Sequence, residues 1–274
     1  MIIGITGYSG FLGTHLVENL FNIPNVEILL IGRKPPIKTG FAHHYFDFLS
    51  KQYFNTKIDT LIHLAGITGI NKKSDLKEFD FNHEGTKNLL DSFDFRHIIF
   101  ASTLKINDKQ IKYDPINEAY INSKLGAEKL IDKCDKTFTI LRVGHCYGRY
   151  DLGNRLIPKI LKSVIANHTL ELQLNPLSEL SLLSGDDFSK IVKSLIFDRL
   201  SYNQTINIYN PNYVSVSKII NIIHKVTGEV FLKASSNYPI LKPLVIDGDS
   251  NFLIKTQKFI EFEDEFNKIW NIWR

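Results

Sequence analysis

An apolar run, Ile2-Ile3-Gly4-Ile5-Thr6, passes straight into Gly7-Tyr8-Ser9-Gly10-Phe11-Leu12-Gly13 and then into a segment of helical period. No other feature constrains the fold as much. A strand, a glycine turn and a helix in that order leave the first amides of the helix free. They also aim its partial positive charge at the turn, which makes a seat for phosphate. The glycines have separate tasks: one makes the tight turn, one lets the backbone approach a ligand, and one lets the helix pack on the strand. The spacing here is G-x-x-G-x-x-G.

The first two thirds of the chain repeat this alternation. Apolar runs of strand length fall at residues 2–6, 26–31, 42–47, 60–64, 97–101 and 138–143, with helical patterns at 11–21, 78–93 and 118–134. On the first helix Leu12, Leu16, Val17 and Leu20 share a stripe. Strands this apolar are covered on both faces. The expected class is α/β, a Rossmann-type doubly wound parallel sheet with a small, interleaved C-terminal substrate lobe. Past Gly148 the alternation fails. Residues 149–183 read as irregular, 186–198 as helix, 205–209 as strand, 216–227 as a helix closed by Gly228, 230–233 as a short strand and 261–273 as a last helix. Residues 1–148 are expected to form the nucleotide-binding domain, with 184–210 returning to it. Residues 149–183 and 211–274 are expected to form the lobe.

Composition mainly excludes. The chain has 274 residues, 43% hydrophobic and 23% charged, as in an ordinary globular enzyme. Its net charge of +4 is spread out, with no basic run to track nucleic acid. Cys134 and Cys146 stand apart, and the histidines, His43-His44 included, lack metal-ligand spacing, so neither a disulfide framework nor a metal is expected. No stretch approaches ~20 apolar residues and no signal-peptide pattern opens the chain, so a cytoplasmic protein without membrane partners is expected.

About 20 residues past the glycine turn, where an acid would bind the ribose hydroxyls of a dinucleotide, the chain reads Leu30-Ile31-Gly32-Arg33-Lys34. Arg33 suits a 2′-phosphate and no carboxylate repels one. NADP(H) is expected over NAD(H), which remains possible; the alternative is that Arg33 merely opens an exposed loop. Asp47, ending the third strand, is placed to touch the adenine. Farther on, Tyr120-Ile121-Asn122-Ser123-Lys124 sets a phenol and an ammonium four residues apart on one helical face.

A lone Y-x-x-x-K is common by chance. In company with the glycine turn, and as Y-x-x-S-K-x-x-A-E through Glu128, it resembles the extended short-chain dehydrogenase/reductase family of sugar-nucleotide epimerases, dehydratases and reductases. The resemblance continues in order. Asp59–Gly66 looks like "D-x-V-I-H-L-A-A", Asn82–Leu90 like "N-V-x-G-T-x-N-L-L", and Leu141–Gly148 like "L-R-P-x-N-V-Y-G". Asp186-Asp187 looks like "V-D-D-V", and Tyr209-Asn210 with Val214–Gly228 like "Y-N-x-G … S-x-x-E … G".

The resemblance implies a catalytic group of Tyr120, Lys124 and Thr103, the last where the family usually has Ser. It implies cofactor contacts from Gly7 through Gly13 (Tyr8, Ser9, Gly10, Phe11 and Leu12 between them) and from Arg33, Lys34, Asp47, Phe48, Leu64, Ala65, Gly66, Asn82, Ala101, Ser102 and Val143. Tyr120 and Lys124 belong to that set too. Substrate contacts are expected from Thr68, Thr103, His145, Arg149 and Arg155. The Lys124 ammonium is expected to favour the Tyr120 phenolate, which then moves a proton at a substrate oxygen.

Departures narrow the reaction. Dehydratases follow the hydroxyl with Asp-Glu, and this chain has Leu104-Lys105. The cysteine relay of epimerase–reductases is also absent, since Lys105 stands in its place. The arginine expected before Asp186-Asp187 aligns with Leu180 or Ser181. What remains is NADPH-dependent reduction of a keto group on a nucleotide sugar, with epimerisation through a transient ketone as the alternative. A non-catalytic NADP sensor is the alternative of another class, although such proteins commonly lose the tyrosine or lysine. A homodimer through helices 78–93 and 118–134 is expected, with Ile121 and Leu125 outward and Ala127, Leu130 and Cys134 facing the sheet.

Overall fold

The computed structural model describes residues 1–36, 40–68, 76–107, 115–198, 202–228, 232–242 and 258–274. In chain order the strands are β1 (Ile2–Thr6), β2 (Glu27–Gly32), β3 (Ala42–Tyr45), β4 (Phe54–His63), β5 (Phe93–Thr103), β6 (Thr137–Val143), β7 (Cys146–Tyr147), β8 (Leu170–Leu172), β9 (Glu179–Leu180), β10 (Leu183–Ser184), β11 (Gln204–Ile208), β12 (Val214–Ser215) and β13 (Leu232–Ala234). The helices are α1 (Phe11–Leu20), α2 (Asp80–Ser92), α3 (Pro115–Asp132), α4 (Leu156–Ile165), α5 (Gly185–Asp198), α6 (Val216–Thr227) and α7 (Phe262–Trp273).

Seven strands form one sheet in the order β11-β6-β5-β4-β1-β2-β3, every pair parallel. Alternating side chains cover its two faces. Ile3, Ile5, Leu30, Ile62, Ile99 and Leu141 pack with Leu16 and Leu20 of α1 and Phe188 and Ile191 of α5. Leu29, Ile31, Leu61, Ile98, Phe100 and Ile140 pack with Leu89 of α2 and Ala127 and Ile131 of α3. The strand order reverses at β1, which lies between β2 and β4. In such sheets the crevice at the carboxyl ends of the strands receives the ligand. The glycine turn opens there.

A third apolar cluster joins Ile157, Ile160 and Leu161 of α4, Ile219 and Ile223 of α6, and Phe262, Phe266 and Ile269 of α7. Local chemistry explains α6. Ser215 caps it by accepting the amide of Lys218 at 3.2 Å, and Gly228 closes it at φ 77, its N–H donating to the His224 carbonyl at 2.8 Å. The C-terminal cap needs a left-handed residue, which glycine supplies without strain.

Several expected boundaries move. Residues 149–183 are not irregular throughout, because α4 spans Leu156–Ile165 with Pro158 in its first turn, where a missing N–H costs nothing. β4 and β5 start at Phe54 and Phe93, well before 60 and 97, and β3 ends at Tyr45. On α3 the sheet-facing residues are Ala127, Glu128 and Ile131, in place of the expected Leu130 and Cys134. The strand placed at 230–233 starts, within the described residues, at Leu232; Val230 lies outside them. No described helix is long and apolar enough to cross a membrane.

Candidate active site

The glycine turn is close-packed where the chain needs it and open where a ligand would come. Gly7 has φ 70, and a Cβ there would lie 2.5 Å from the Ala65 nitrogen; one on Gly13 would lie 2.1 Å from the Gly7 carbonyl oxygen. A Cβ on Gly10 would meet only the Gly7 oxygen, at 3.2 Å. Gly10 caps α1 without any side-chain cap, and Ser9 beside it is exposed. Free helix amides beside backbone that tolerates close approach fit a pyrophosphate. Tyr8 turns inward, with its ring in contact range of Gly32 and edge-on to His43.

A chain of buried hydrogen bonds fixes this turn to its neighbours. The Ala65 amide donates to Thr6 Oγ1 at 3.2 Å, and Thr86 Oγ1 donates to the Asn82 carbonyl at 2.7 Å. Between the two hydroxyls lies His63, with Nδ1 2.7 Å from Thr6 Oγ1 and Nε2 3.0 Å from Thr86 Oγ1. Burial, and then the charge of Lys124, pushes His63 down to about 3, so the ring is neutral. Thr86 has already used its proton, so Nε2 carries the imidazole hydrogen and Nδ1 accepts from Thr6. The Asn82 side chain accepts the Ile67 amide at 2.7 Å and donates to the Ile67 carbonyl at 2.9 Å and to Ser123 Oγ at 3.0 Å. Ser123 Oγ donates to the Tyr120 carbonyl at 2.7 Å, which ties the segment after β4 to the helix that carries Tyr120.

Tyr120 and Lys124 lie buried on one face of α3 against the end of β5. Lys124 Nζ donates to the Ala101 carbonyl at 2.9 Å and sits 4.8 Å from the centre of the Phe100 ring. A Cβ on Gly66 would lie 3.0 Å from that nitrogen. Burial lowers Lys124 to about 8, against the opposing pull of Glu128. Burial raises Tyr120, offset first by a hydrogen bond with Thr103 and then by the charge of Arg155. The phenol is therefore protonated at rest. Arg155 adds its charge to that offset, and Lys124, one turn farther along α3, is held by the Ala101 carbonyl.

Arg155 stands at the start of α4. Its Nη2 and Nε lie 3.0 and 3.1 Å from Asp151 Oδ1, and its guanidinium lies 4.9 Å from the centre of the Phe11 ring, on the glycine turn. Arg149 is held by acids, with Nη2 2.8 Å from Asp186 and 3.7 Å from Glu18. His145 and Thr68 are exposed. Arg33 and Lys34 are exposed at the end of β2, the Arg33 guanidinium 5.9 Å from the centre of the Phe81 ring. Asp47 accepts the Leu49 amide at 3.2 Å in a turn after β3. Phe48 packs along His63, and Leu64, Ala65 and Gly66 follow β4 beside the turn. Leu12 is half-buried on α1, while Ser102 and Val143 are buried at the ends of β5 and β6. Residues 69–75 and 108–114, which follow β4 and β5 in the chain, lie outside the described residues.

Sequence reasoning missed Thr6, His63 and Thr86 as a connected set. A signal was present: Thr6 and His63 interrupt apolar runs at positions whose neighbours are buried.

Comparison with known proteins agrees with this geometry. The profile of the NAD dependent epimerase/dehydratase family matches residues 3–208. A GDP-6-deoxy-D-talose 4-dehydrogenase from Aggregatibacter actinomycetemcomitans is 26% identical over 243 residues, covering 83% of this chain and 80% of that protein. A UDP-glucose 4-epimerase from Streptococcus mutans is 26% identical over 164 residues, covering 51% of this chain and 49% of its own length. Among solved structures, a Bacillus cereus UDP-glucuronic acid 4-epimerase in complex with UDP-glucuronic acid and NAD superposes with a TM-score of 0.80 at 18% identity, covering 100% of this chain and 99% of that one. A sheet order, a phosphate turn and a Tyr-Lys helix all of one type, under a profile that spans most of the sequence, place this chain in the NAD dependent epimerase/dehydratase family, within the extended short-chain dehydrogenases/reductases.

Proposed function

We propose that the protein moves a hydride at C4 of a nucleotide-linked sugar and epimerises that carbon through a transient ketone. The observation that carries this reading is the buried Tyr120, joined to Thr103 and beside Lys124, with Leu104 and Lys105 following in place of an acidic pair. This site exchanges one proton with a substrate oxygen but has no carboxylates there to eliminate water. The named relatives, a 4-dehydrogenase and a 4-epimerase, support C4 as the position.

A bound nicotinamide cofactor would supply or accept the hydride. Gly7, Gly10, Gly13 and the amides opening α1 would hold its pyrophosphate, and Lys124 its nicotinamide ribose. Tyr120 passes the proton at the sugar oxygen, and Thr103 donates to that oxygen and fixes its position. Arg155 lies over Phe11 and its charge reaches Tyr120, and it would hold the substrate diphosphate in place of the arginine missing before Asp186. The half-buried Ile121 and Leu125 of α3 support a homodimer through α2 and α3, which light scattering at micromolar concentration tests.

The direct test is incubation of the purified protein with UDP-glucose, UDP-glucuronic acid and GDP-linked 6-deoxy sugars, scored for the C4 epimer by NMR. Conversion without net change in NAD(P)H absorbance supports epimerisation. Stoichiometric oxidation of NADPH by a 4-keto sugar nucleotide would replace it with the second reading, a net reductase. Arg33 favours that second reading, being an exposed guanidinium at the ribose end of β2 with no acid on Gly32 or Lys34 to repel a 2′-phosphate.

A further inference from the structure

Three successive residues at the end of β5 meet three residues of α3 spaced one turn apart. Thr103 bonds Tyr120, the Ala101 carbonyl accepts from Lys124 Nζ at 2.9 Å, and Ser102 Oγ donates to Glu128 Oε1 at 2.5 Å. The first two contacts belong to the reacting groups. The third has no place in the chemistry above, yet it is the most heavily braced. Arg142 on β6 grips Glu128 along one edge of its guanidinium, Nε to Oε1 at 3.1 Å and Nη2 to Oε2 at 2.8 Å. Its remaining nitrogen, Nη1, donates to Asn107 Oδ1 at 2.9 Å, and Asn107 Nδ2 donates to Asn207 Oδ1 on β11 at 3.0 Å. Glu128, Ser102 and Asn207 are buried.

A carboxylate at this depth is costly unless paired, and a single aliphatic side chain would pack α3 on the sheet at least as well. Glu128 lies one turn from Lys124 on the same helical face, so its charge reaches the lysine, while Arg142 limits how much of that charge is felt. We propose that Glu128 is a positioning residue for hydride transfer, and that the Ser102–Glu128–Arg142 brace sets both the depth and the ammonium charge of Lys124. The proposal rests on the reading that Lys124 holds the nicotinamide ribose. Among the described residues, the titratable and charged groups that bear on Lys124 are Glu128 one turn along its own helix, with Tyr120 one turn before it, the neutral His63 from β4, and Arg142 from β6 acting through Glu128.

The test is the pH dependence of NADH and NADPH affinity, followed by cofactor fluorescence from about pH 6 to about pH 10, with thermal melts to confirm folding. The wild type should lose affinity with a midpoint near 8, where Lys124 gives up its proton, and Lys124→Met should bind weakly with no such midpoint. Glu128→Gln removes the negative charge and should lower the midpoint by about one pH unit. Arg142→Gln removes the counter-charge, leaves Glu128 to act on Lys124 in full, and should raise it by a similar amount. Shifts of opposite sign support the proposal, because a merely structural brace would weaken binding alike in both variants. Midpoints that stay with the wild type, or that move together, overturn it. If Glu128→Gln does not fold, the upward shift in Arg142→Gln decides alone. A wild type that binds neither cofactor would overturn the reading of the site, and the proposal with it, whereas a wild-type midpoint near 8 that neither brace variant moves overturns the proposal only.

Discussion

Tyr120 is buried enough to be held as a phenol at neutral pH. Tyr120→Phe removes only the hydroxyl. Turnover should fall by about 10²–10⁴, with cofactor affinity unchanged, as measured by steady-state kinetics beside a binding titration. Thr103→Ser should keep most of the activity, since the hydroxyl remains, and Thr103→Val should lose it in part. Arg33→Ala should remove about tenfold to hundredfold of any preference for NADPH over NADH, read from paired dissociation constants. Lys124 carries a stability consequence of its own. Its folded value near 8 lies below the ordinary lysine value. The folded state therefore holds a costly buried ammonium below that pH and sheds the cost as pH rises toward the unfolded value. Lys124→Met should raise stability at neutral pH by about 2–3 kcal/mol, with the gain shrinking above pH 8, as denaturant titrations at several pH values will show. The tyrosine and the lysine were legible in the sequence because a helix converts four-residue spacing into neighbourhood, and Thr103 of β5 only through the family resemblance. The tautomer of His63 was not, since it depends on which proton Thr86 had already given away.

Elements were legible where one face or both faces are uniformly apolar, as in β1, β2 and β6. The first halves of β4 and β5 were not. Asn55 and Lys57, and Asp94 and Arg96, alternate with buried or half-buried neighbours there, so the strands outrun their apolar signal. Helix α4 was missed for a different reason. Its Ile157, Ile160, Leu161 and Val164 have helical period, but Pro158 reads as a breaker until the first turn is recognised around it. In the first turn of α1, Gly13→Ala would push a methyl group to within 2.1 Å of the Gly7 oxygen. It should abolish the thermal stabilisation given by NADH, because turn and helix cannot both keep their places. On α6, Ser215→Ala should cost about 1 kcal/mol in a urea titration, the usual worth of a lost cap.

The whole molecule is stitched together by charges that no local pattern revealed. Fully buried His15 of α1 places Nδ1 2.8 Å from Asp186 at the start of α5, and Arg149 binds the same oxygen at 2.8 Å. The His15 hydrogen bond, and then Arg149, holds the Asp186 carboxyl well below the usual carboxylate range. Such a group stabilises the fold above its unfolded value near 4 and loses that contribution only as pH falls below it. Asp186→Asn should therefore lower the melting temperature by several degrees at pH 7, with a difference from wild type that holds to about pH 5 and narrows in stronger acid. The sheet carries a consequence of another kind. β6 pairs on one side with β5, its predecessor in the sheet, but on the other with β11, which the ribosome delivers only after α4, α5 and the short strands between have emerged. Until then Leu141 and Val143 belong to a strand with a bare hydrogen-bonding edge. A nascent chain paused before Gln204 is thus a template for pairing with another copy of itself, and the vulnerable moment in the life of this protein falls during its synthesis.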